Sequence, residues 1–155
     1  MLDRTDIEIL EQLQRGAEIS NQELADKVAL SPSPCSRRVK QLQDAGYIKA
    51  QVLLLDKAKL GLDLTVLILV GLDSHSPEIM QNFENKVTAY HEVSKCYLVA
   101  GQSADYQLEV TLPGMSEYQQ FLLDKLISLD NVTSVRSSFV LRSVAETTAL
   151  PLKHL

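Results

Sequence analysis

Apolar residues near the start of the chain recur at every third or fourth position, which is the spacing of amphipathic helices. This pattern predicts a first helix over residues 3–13, with Asp3 as its N-cap and Ile9 beside its apolar stripe. A second helix is predicted to begin at Ser20, because Glu23 three residues later completes a capping box. The inward-facing positions of these two helices are Ile7, Leu10, Leu13, Leu24, Ala25 and Val28.

A third helix is predicted to begin at Ser31, with Pro32 in its first position, where a missing N–H is tolerated. Gly46 ends this helix. Its inward face consists of Cys35, Val39 and Leu42. A tight turn at residues 29–30 joins it to the second helix. The three helices therefore predict a winged-helix-like helix-turn-helix domain in residues 1–47.

The spacing of apolar residues changes after the third helix. Residues 48–55 are rich in aliphatic side chains and predict a connecting strand, and residues 56–63 predict a linker. The rest of the chain, residues 64–155, predicts a ferredoxin-like βαββαβ sandwich and hence an α+β fold. Its strands and helices are predicted at residues 64–72, 76–87, 93–99, 106–112, 118–126 and 132–144.

Charge is distributed unevenly along a chain whose formal net charge is −5. Residues 31–49 carry four basic side chains and one acidic side chain, whereas residues 64–155 carry six basic and ten acidic side chains. The first segment would attract a phosphate backbone, and the second would repel it. This distribution argues against a purely electrostatic nucleic-acid binder and places any DNA contact in the helical domain.

The residues that mark other functional classes are sparse. Cys35 and Cys96 lack CxxC spacing, and the three histidines lack metal-ligand spacing, so we expect reduced thiols, structural or surface histidines, no metal and no cofactor. The sequence has no phosphate-binding loop and no convergent catalytic set, so we predict that the chain is not an enzyme. The acidic start and the short apolar run at residues 64–72 favour a cytoplasmic protein without a membrane span.

The third predicted helix has the features of a DNA recognition helix. An α-helix fits the major groove, and residues near its N-terminus reach base edges. Arg37 can form two hydrogen bonds with guanine and Lys40 can supply charge, while Arg38 either reaches a phosphate or ties this helix to the first one. The alternative is an ordinary amphipathic helix with a solvated basic face. The candidate DNA-binding residues are Ser31, Ser33, Ser36, Arg37, Arg38, Lys40 and Gln41.

Several segments together resemble the Lrp/AsnC (feast/famine) family of transcriptional regulators, and the resemblance covers nearly the whole chain. Residues 21–48 are similar to the family's helix-turn-helix, including the Ser-Pro-Ser-Pro start of its recognition helix. Residues 96–110 resemble the strand-turn-strand of its sensing domain, with Gly101 and Asp105 one residue further apart than in the common Gly-x-x-Asp-Tyr pattern. The resemblance implies a DNA-binding regulator that responds to a small effector, assembles into dimers and then octamers, and uses residues 64–155 for effector sensing and oligomerisation.

The turn at residues 101–106 is the candidate effector site. Glycine lets a backbone approach a ligand closely, backbone N–H groups can bind the carboxylate of an amino acid, and Asp105 can pair with its ammonium group. The resemblance implies that the ligand lies at a subunit interface, and a plain hairpin is the alternative. The candidate effector-binding residues are Gly101, Gln102, Ser103, Ala104, Asp105, Tyr106 and Ser137. Further contacts are expected from Arg136, Ser138, Leu98 or Met115.

Two other functions are compatible with parts of this pattern. One is an amino-acid-binding sensor and oligomerisation protein that makes no direct contact with DNA, and it would lack a basic recognition helix. The other is an enzyme built on the ferredoxin-like domain, and it would need a convergent catalytic set. The basic residues of the third helix favour the DNA-binding regulator, and we expect residues 48–55 to pair with their counterpart in a second subunit.

Overall fold

The computed structural model describes residues 2–16, 18–101 and 103–155. The chain forms two compact units, one made of Met1–Leu54 with Ala145–Leu155 and the other of Leu55–Val144. The structure thus groups the last residues with the helical unit, whereas the sequence analysis assigned them to the C-terminal domain. The domain boundaries at residues 47 and 63 stay predictions.

Three helices form the first unit, and they agree with the predicted helix-turn-helix. They are α1 (Arg4–Arg15), α2 (Asn21–Lys27) and α3 (Pro32–Asp44). The buried core of this unit consists of Ile9, Leu24, Ala25, Val28, Cys35 and Leu42. Ile9 is the fully buried residue of α1. The positions of α1 predicted to face inward are only half-buried, namely Ile7, Leu10 and Leu13.

Capping boxes fix the starts of α1 and α2. The Asp3 carboxylate accepts a hydrogen bond from the Asp6 N–H at 2.8 Å, and the Asp6 carboxylate accepts one from the Asp3 N–H at 3.1 Å. Ser20 and Glu23 form the box predicted for α2. Each box satisfies backbone N–H groups that have no partner within the helix, so these short helices begin at defined residues.

The predicted connecting strand is an irregular segment in a single copy of the chain. Val52, Leu53, Leu54 and Leu55 are between 67% and 80% exposed. A strand requires the N–H and C=O groups of a neighbour, and the sheet of the described residues contains four other strands and not this segment. The expected pairing needs a second copy of the chain, so the strand at residues 48–55 stays a prediction.

The second unit is a four-stranded antiparallel sheet with helices on one face, which confirms the predicted βαββαβ order. Its strands are β1 (Leu64–Leu72), β2 (Val93–Leu98), β3 (Tyr106–Leu112) and β4 (Val132–Phe139), arranged in the order β2-β3-β1-β4. The helices are α4 (Pro77–Thr88) and α5 (Met115–Gln120), and α5 continues as a π-helical turn over Phe121–Leu126.

The last strand ends at Phe139, whereas the sequence analysis extended it to residue 144. Its neighbour β1 begins at Leu64, and the Val140 N–H still donates to the Thr65 carbonyl at 3.0 Å. Beyond that point the neighbouring strand has ended, and Leu141 is 97% exposed. The length of β1 therefore limits β4.

The two faces of the sheet differ in what covers them. The alternating residues Tyr106, Leu108, Val110 and Leu112 of β3 are buried against the helices, as their spacing predicted. Leu67 and Leu69 of β1 lie on the opposite face, beside Glu109 and Gln107 of β3, and are only half-buried. We call this second surface the open face of the sheet.

Candidate DNA-binding and effector sites

The outward surface of α3 brings together most of the predicted DNA-binding residues. Cys35 and Leu42 point into the core, so the helical repeat turns the other side of α3 to solvent. A shallow cleft there is lined by Asn21, Pro32, Ser33, Ser36, Arg37 and Lys40. Gln41 is also exposed. This surface presents hydroxyl groups and two cations on a helix whose inner side is fixed by packing.

The start of α3 is held by a contact that the sequence analysis did not identify. The Asn21 side-chain amide, in the first turn of α2, donates a hydrogen bond to the Pro32 carbonyl at 3.0 Å. Ser31 has the extended backbone of an N-cap, but its hydroxyl makes no capping hydrogen bond with the described residues. Asn21 thus fixes α3 against α2. In the sequence, this contact is marked only by a polar residue directly after the N-cap Ser20.

Arg38 ties α3 to α1, which is one of the two roles predicted for it, the other being contact with a phosphate. Its guanidinium donates to carboxylate oxygens of Asp3 and Asp6, both at 2.7 Å, and so joins α3 to α1. The Asp6 N–H and then this guanidinium hold the pKa of Asp3 below its ordinary value. The Arg38 side chain is 31% exposed, and its donors are directed within the helical unit.

The predicted effector turn is closed by backbone hydrogen bonds to two strands. Gly101 has a φ of +85°, in the left-handed region that favours glycine. The Asp105 carbonyl accepts from the Val99 N–H, and the Asp105 N–H donates to the Val70 carbonyl, both at 2.9 Å. Ser103 is exposed and Ala104 is 8% exposed. Gln102, also predicted as an effector contact, lies outside the described residues.

The Asp105 carboxylate has a protein partner on each oxygen. Oδ2 accepts the Leu72 N–H at 2.7 Å, and Oδ1 lies 2.7 Å from Nε2 of His75. The Leu72 N–H, followed by the His75 ring, outweighs partial burial and holds the pKa of Asp105 below its ordinary value. The sequence analysis treated His75 as a surface or structural residue, because its distance from Asp105 along the chain concealed the contact.

The side chain of Tyr106 is a core residue and not an accessible part of the turn. It is 1% exposed, its ring centroid lies 4.7 Å from that of Phe83, and its hydroxyl donates to Glu84 of α4 at 2.8 Å. Burial, followed by the Glu84 carboxylate, raises its pKa. Because the ring is buried, an effector contact of Tyr106 would involve its backbone, and its place in the site stays a prediction.

Residues of β4 that were predicted near the turn lie on opposite faces of the strand. Arg136 pairs with Leu69 on the open face and donates to the Ser103 hydroxyl of the turn. Ser137 pairs with the buried Ile68, and its hydroxyl accepts from Tyr118 of α5. The structure therefore joins Arg136 to the turn, whereas it directs Ser137 towards α5. The other suggested contacts are exposed, namely Leu98, Met115 and Ser138.

The described residues show neither a metal-binding cluster nor a membrane-spanning helix. Within residues 2–16, 18–101 and 103–155, no group of three His, Cys, Asp or Glu side chains is arranged to hold a metal ion. Over the same residues, none of the helices combines the length and the apolar character needed to cross a membrane.

The chain matches two protein families, one over its helical N-terminal part and one over the part that contains the sheet. Residues 2–49 match the family of winged helix-turn-helix DNA-binding domains, and residues 65–150 match the Lrp/AsnC ligand binding domain. The first match contains α1, α2 and α3, and the second contains the four-stranded sheet except for Leu64 at the start of β1.

Relatives of known name are similar over almost their whole length. Transcriptional regulator AzlB of Bacillus subtilis is 36% identical over 100% of this chain and 98% of its own. The leucine-responsive regulatory protein of Escherichia coli is 36% identical over 98% of this chain and 92% of its own. Among solved structures, the transcriptional regulator NMB0573 of Neisseria meningitidis, in complex with L-Met, has a TM-score of 0.95, 40% identity and 99% coverage of both chains. An AsnC family regulator from Agrobacterium tumefaciens has a TM-score of 0.94, 33% identity and the same coverage.

Proposed function

We propose that this chain, which belongs to the Lrp/AsnC family of transcriptional regulators, recognises specific DNA through the outward surface of α3. Its affinity for DNA changes when an amino acid binds at the turn of residues 101–106. The observation that carries the DNA-binding part is the cluster of Ser33, Ser36, Arg37 and Lys40 on one exposed surface of a helix fixed by its neighbours.

The roles of these residues follow from their chemistry. An arginine can donate two parallel hydrogen bonds to O6 and N7 of guanine, so Arg37 reads a base. A lysine carries a compact charge, so Lys40 contacts a phosphate. Arg38 is committed to Asp3 and Asp6 and supports the helix from behind. Base recognition therefore depends on Arg37, and the geometry of α3 depends on Arg38.

The effector part of the proposal rests on the turn and on the nature of the relatives. The Neisseria regulator was solved with L-Met, and the relatives in Escherichia coli carry the name leucine-responsive. In this chain, Asp105 offers a carboxylate that is partly open to solvent, and Leu98 and Met115 expose apolar surface in the same unit. An ammonium group can pair with Asp105 while an apolar side chain contacts such surface, so we favour an aliphatic or thioether amino acid.

A homodimer that assembles further into an octamer accounts for the exposed apolar surface. Val52, Leu53, Leu54 and Leu55 form a continuous exposed run with strand-forming character, and the open face of the sheet carries Leu67 and Leu69. Monomeric proteins rarely expose such contiguous apolar surface. Pairing of residues 48–55 between two copies would satisfy their backbone and cover this run. As a bacterial-type transcription regulator, the protein would act in the cytoplasm.

The proposed function is tested by selecting DNA from a random pool with the full-length protein. Recovered sequences should share a palindromic motif with half-sites in phase with the helical repeat, since a dimer carries two recognition helices. Binding to the selected DNA should exceed binding to scrambled DNA by at least about 10³-fold at physiological salt. Equal binding to both, or no enrichment after selection, would contradict specific recognition.

A further inference from the structure

His75 and Asp105 form a pair that joins three segments of the second unit. His75 lies in the loop between β1 and α4, and Asp105 directly precedes β3. The Asp105 side chain also accepts the Leu72 N–H at the end of β1, and its backbone bonds with Val70 and Val99. The carboxylate is 22% exposed and the His75 ring is 65% exposed, so solvent and small solutes reach both.

The carboxylate of Asp105 keeps part of its capacity to accept hydrogen bonds. An ionised carboxylate has about four lone-pair sites on its two oxygens. The Leu72 N–H occupies one site on Oδ2 and the His75 Nε2 occupies one on Oδ1, so about two sites remain. A bound ammonium group can therefore join these partners without displacing them, provided that the carboxylate is held in place.

We propose that His75 is a positioning residue of the effector site, which orients Asp105 while its ring is neutral and opposes binding of an ammonium group when its ring is protonated. This inference rests on the proposed function, in which the effector's ammonium pairs with Asp105. A neutral imidazole donates one hydrogen bond to Oδ1 and adds no charge. An imidazolium neutralises the carboxylate and repels a second cation beside it, so effector affinity falls as the pH falls.

The other titratable groups around Asp105 do not produce the same response. Burial raises the pKa of Tyr106 in β3 and of Cys96 in β2, so both stay protonated below pH 8. The carboxylates nearby are Glu84 of α4, which accepts the Tyr106 hydroxyl, and Asp73, which accepts the Asn131 amide. Carboxyl groups generally titrate near about pH 4, whereas histidine is the side chain that generally changes charge between pH 5 and 8.

The test measures amino-acid binding by calorimetry with the full-length protein at pH 8.0 and pH 5.5. The probe is L-methionine, or the tightest binder among the other nineteen amino acids if L-methionine does not bind. The wild-type affinity should fall severalfold from pH 8.0 to pH 5.5, because histidine is the side chain that generally gains charge in this range and a protonated ring repels the ammonium group. His75→Ala should bind about 2- to 10-fold more weakly than the wild type at pH 8.0, because a hydrogen bond that orients Asp105 is lost.

His75→Gln separates positioning from charge, because its amide can still donate to Asp105 but cannot be protonated. This variant should bind as the wild type does at pH 8.0 and should lose the pH dependence. His91→Gln, at a histidine whose side chain is 89% exposed, is the matched control and should keep the wild-type pH dependence.

A second measurement examines the pair without any effector. In NMR spectra of the free protein, Asp105→Asn should change the chemical shifts of the His75 ring, because the contact between Nε2 and the carboxylate is lost. If no amino acid binds the wild type, the proposed function fails and this inference fails with it. If the wild type binds but His75→Ala binds equally well, or His75→Gln keeps the pH dependence, only the role of His75 is overturned.

Discussion

Arg37 and Arg38 are adjacent in the sequence, but their guanidinium groups have different surroundings. Each residue of an α-helix is rotated by about 100° from the previous one, so Arg38 faces α1 while Arg37 faces solvent. Arg38 bonds with Asp3 and Asp6, and Arg37 lines the exposed cleft of α3. Internal support therefore comes from Arg38, whereas base contact is the role that we propose for Arg37.

Replacement of Arg37 by alanine should lower affinity for the selected DNA by about 1–3 kcal/mol and relax the preference at one base position. The reason is the loss of a bidentate contact to guanine. Fluorescence anisotropy at fixed salt measures the change, with circular dichroism to establish that the fold is retained. Lys86→Ala in α4 removes the same charge outside α3 and should leave the affinity unchanged. Wild-type affinity and preference in Arg37→Ala would contradict this assignment.

Single residues show how far sequence reasoning reached at the candidate sites. The exposure of Ser33, Ser36 and Arg37 followed from helical periodicity, since Cys35 and Leu42 had to be buried. The contact between Asp105 and His75 could not be predicted from helical or strand periodicity, because the two residues are 30 positions apart and only the fold of the sheet brings them together. Contacts of this kind depend on tertiary structure and leave no local pattern.

Elements were predictable where their signals were local. The capping residues of α2 and the alternation of β3 were correct, because helix caps and strand alternation are properties of a few neighbouring residues. The predicted end of β4 was wrong, because a strand extends only as far as a neighbour provides hydrogen bonds. The strand at residues 48–55 stays a prediction, because its expected neighbour is a second copy of the chain. The π-helical turn after α5 had no signal that the sequence analysis used.

The Asp6 N–H and, after it, the Arg38 guanidinium lower the pKa of Asp3, and together they predict how the helical unit responds to acid. The pKa of Asp3 lies below its ordinary value in the folded chain, so its contribution to stability is present above an unfolded pKa of about 3.9 and is lost as the pH falls through the folded value. The melting temperature of the helices should therefore fall between about pH 5 and pH 3.

Arg38→Met tests this response, because it removes the guanidinium that bonds with Asp3 and Asp6. Thermal unfolding followed by circular dichroism should show lower stability at pH 7 and a smaller decrease on acidification. Arg4→Met is the control, since Arg4 pairs with Glu8 on the exposed side of α1. An acid response in Arg38→Met equal to that of the wild type would count against the tie.

The Gln14 side chain of α1 bonds with the backbone near the end of the chain. The Gln14 amide donates to the Leu150 carbonyl at 3.0 Å, and its carbonyl accepts the Leu150 N–H at 2.8 Å. Gln14→Leu should lower the free energy of local opening at Leu150 by about 0.5–1.5 kcal/mol per lost bond. Hydrogen exchange of the Leu150 amide measures this, and Gln43→Leu on α3 is the control. Unchanged protection in Gln14→Leu would show that other contacts retain the segment.

At the scale of the whole molecule, the chain combines a basic helix surface with a net charge of −5. The acidic remainder of the chain opposes nonspecific attachment to DNA. In the proposed function, affinity for DNA therefore depends on the placement of α3. The family was identifiable from combined motifs over nearly the whole sequence, and the matches to both domains confirm it.

Oligomeric assembly stays a proposal, because the apolar run at residues 52–55 indicates a partner without specifying the number of copies.

The central claim is that an amino acid bound in the second unit changes the affinity of α3 for DNA. The most direct measurement is an anisotropy titration of selected DNA at one fixed salt concentration, with and without the tightest-binding amino acid. We expect the affinity to change by about 5- to 150-fold, and the same factor to appear when DNA is added to an effector titration, because coupling is reciprocal. Asp105→Asn should lose the response and keep the effector-free affinity. An affinity for DNA that is the same with each of the twenty amino acids as without them would contradict the claim.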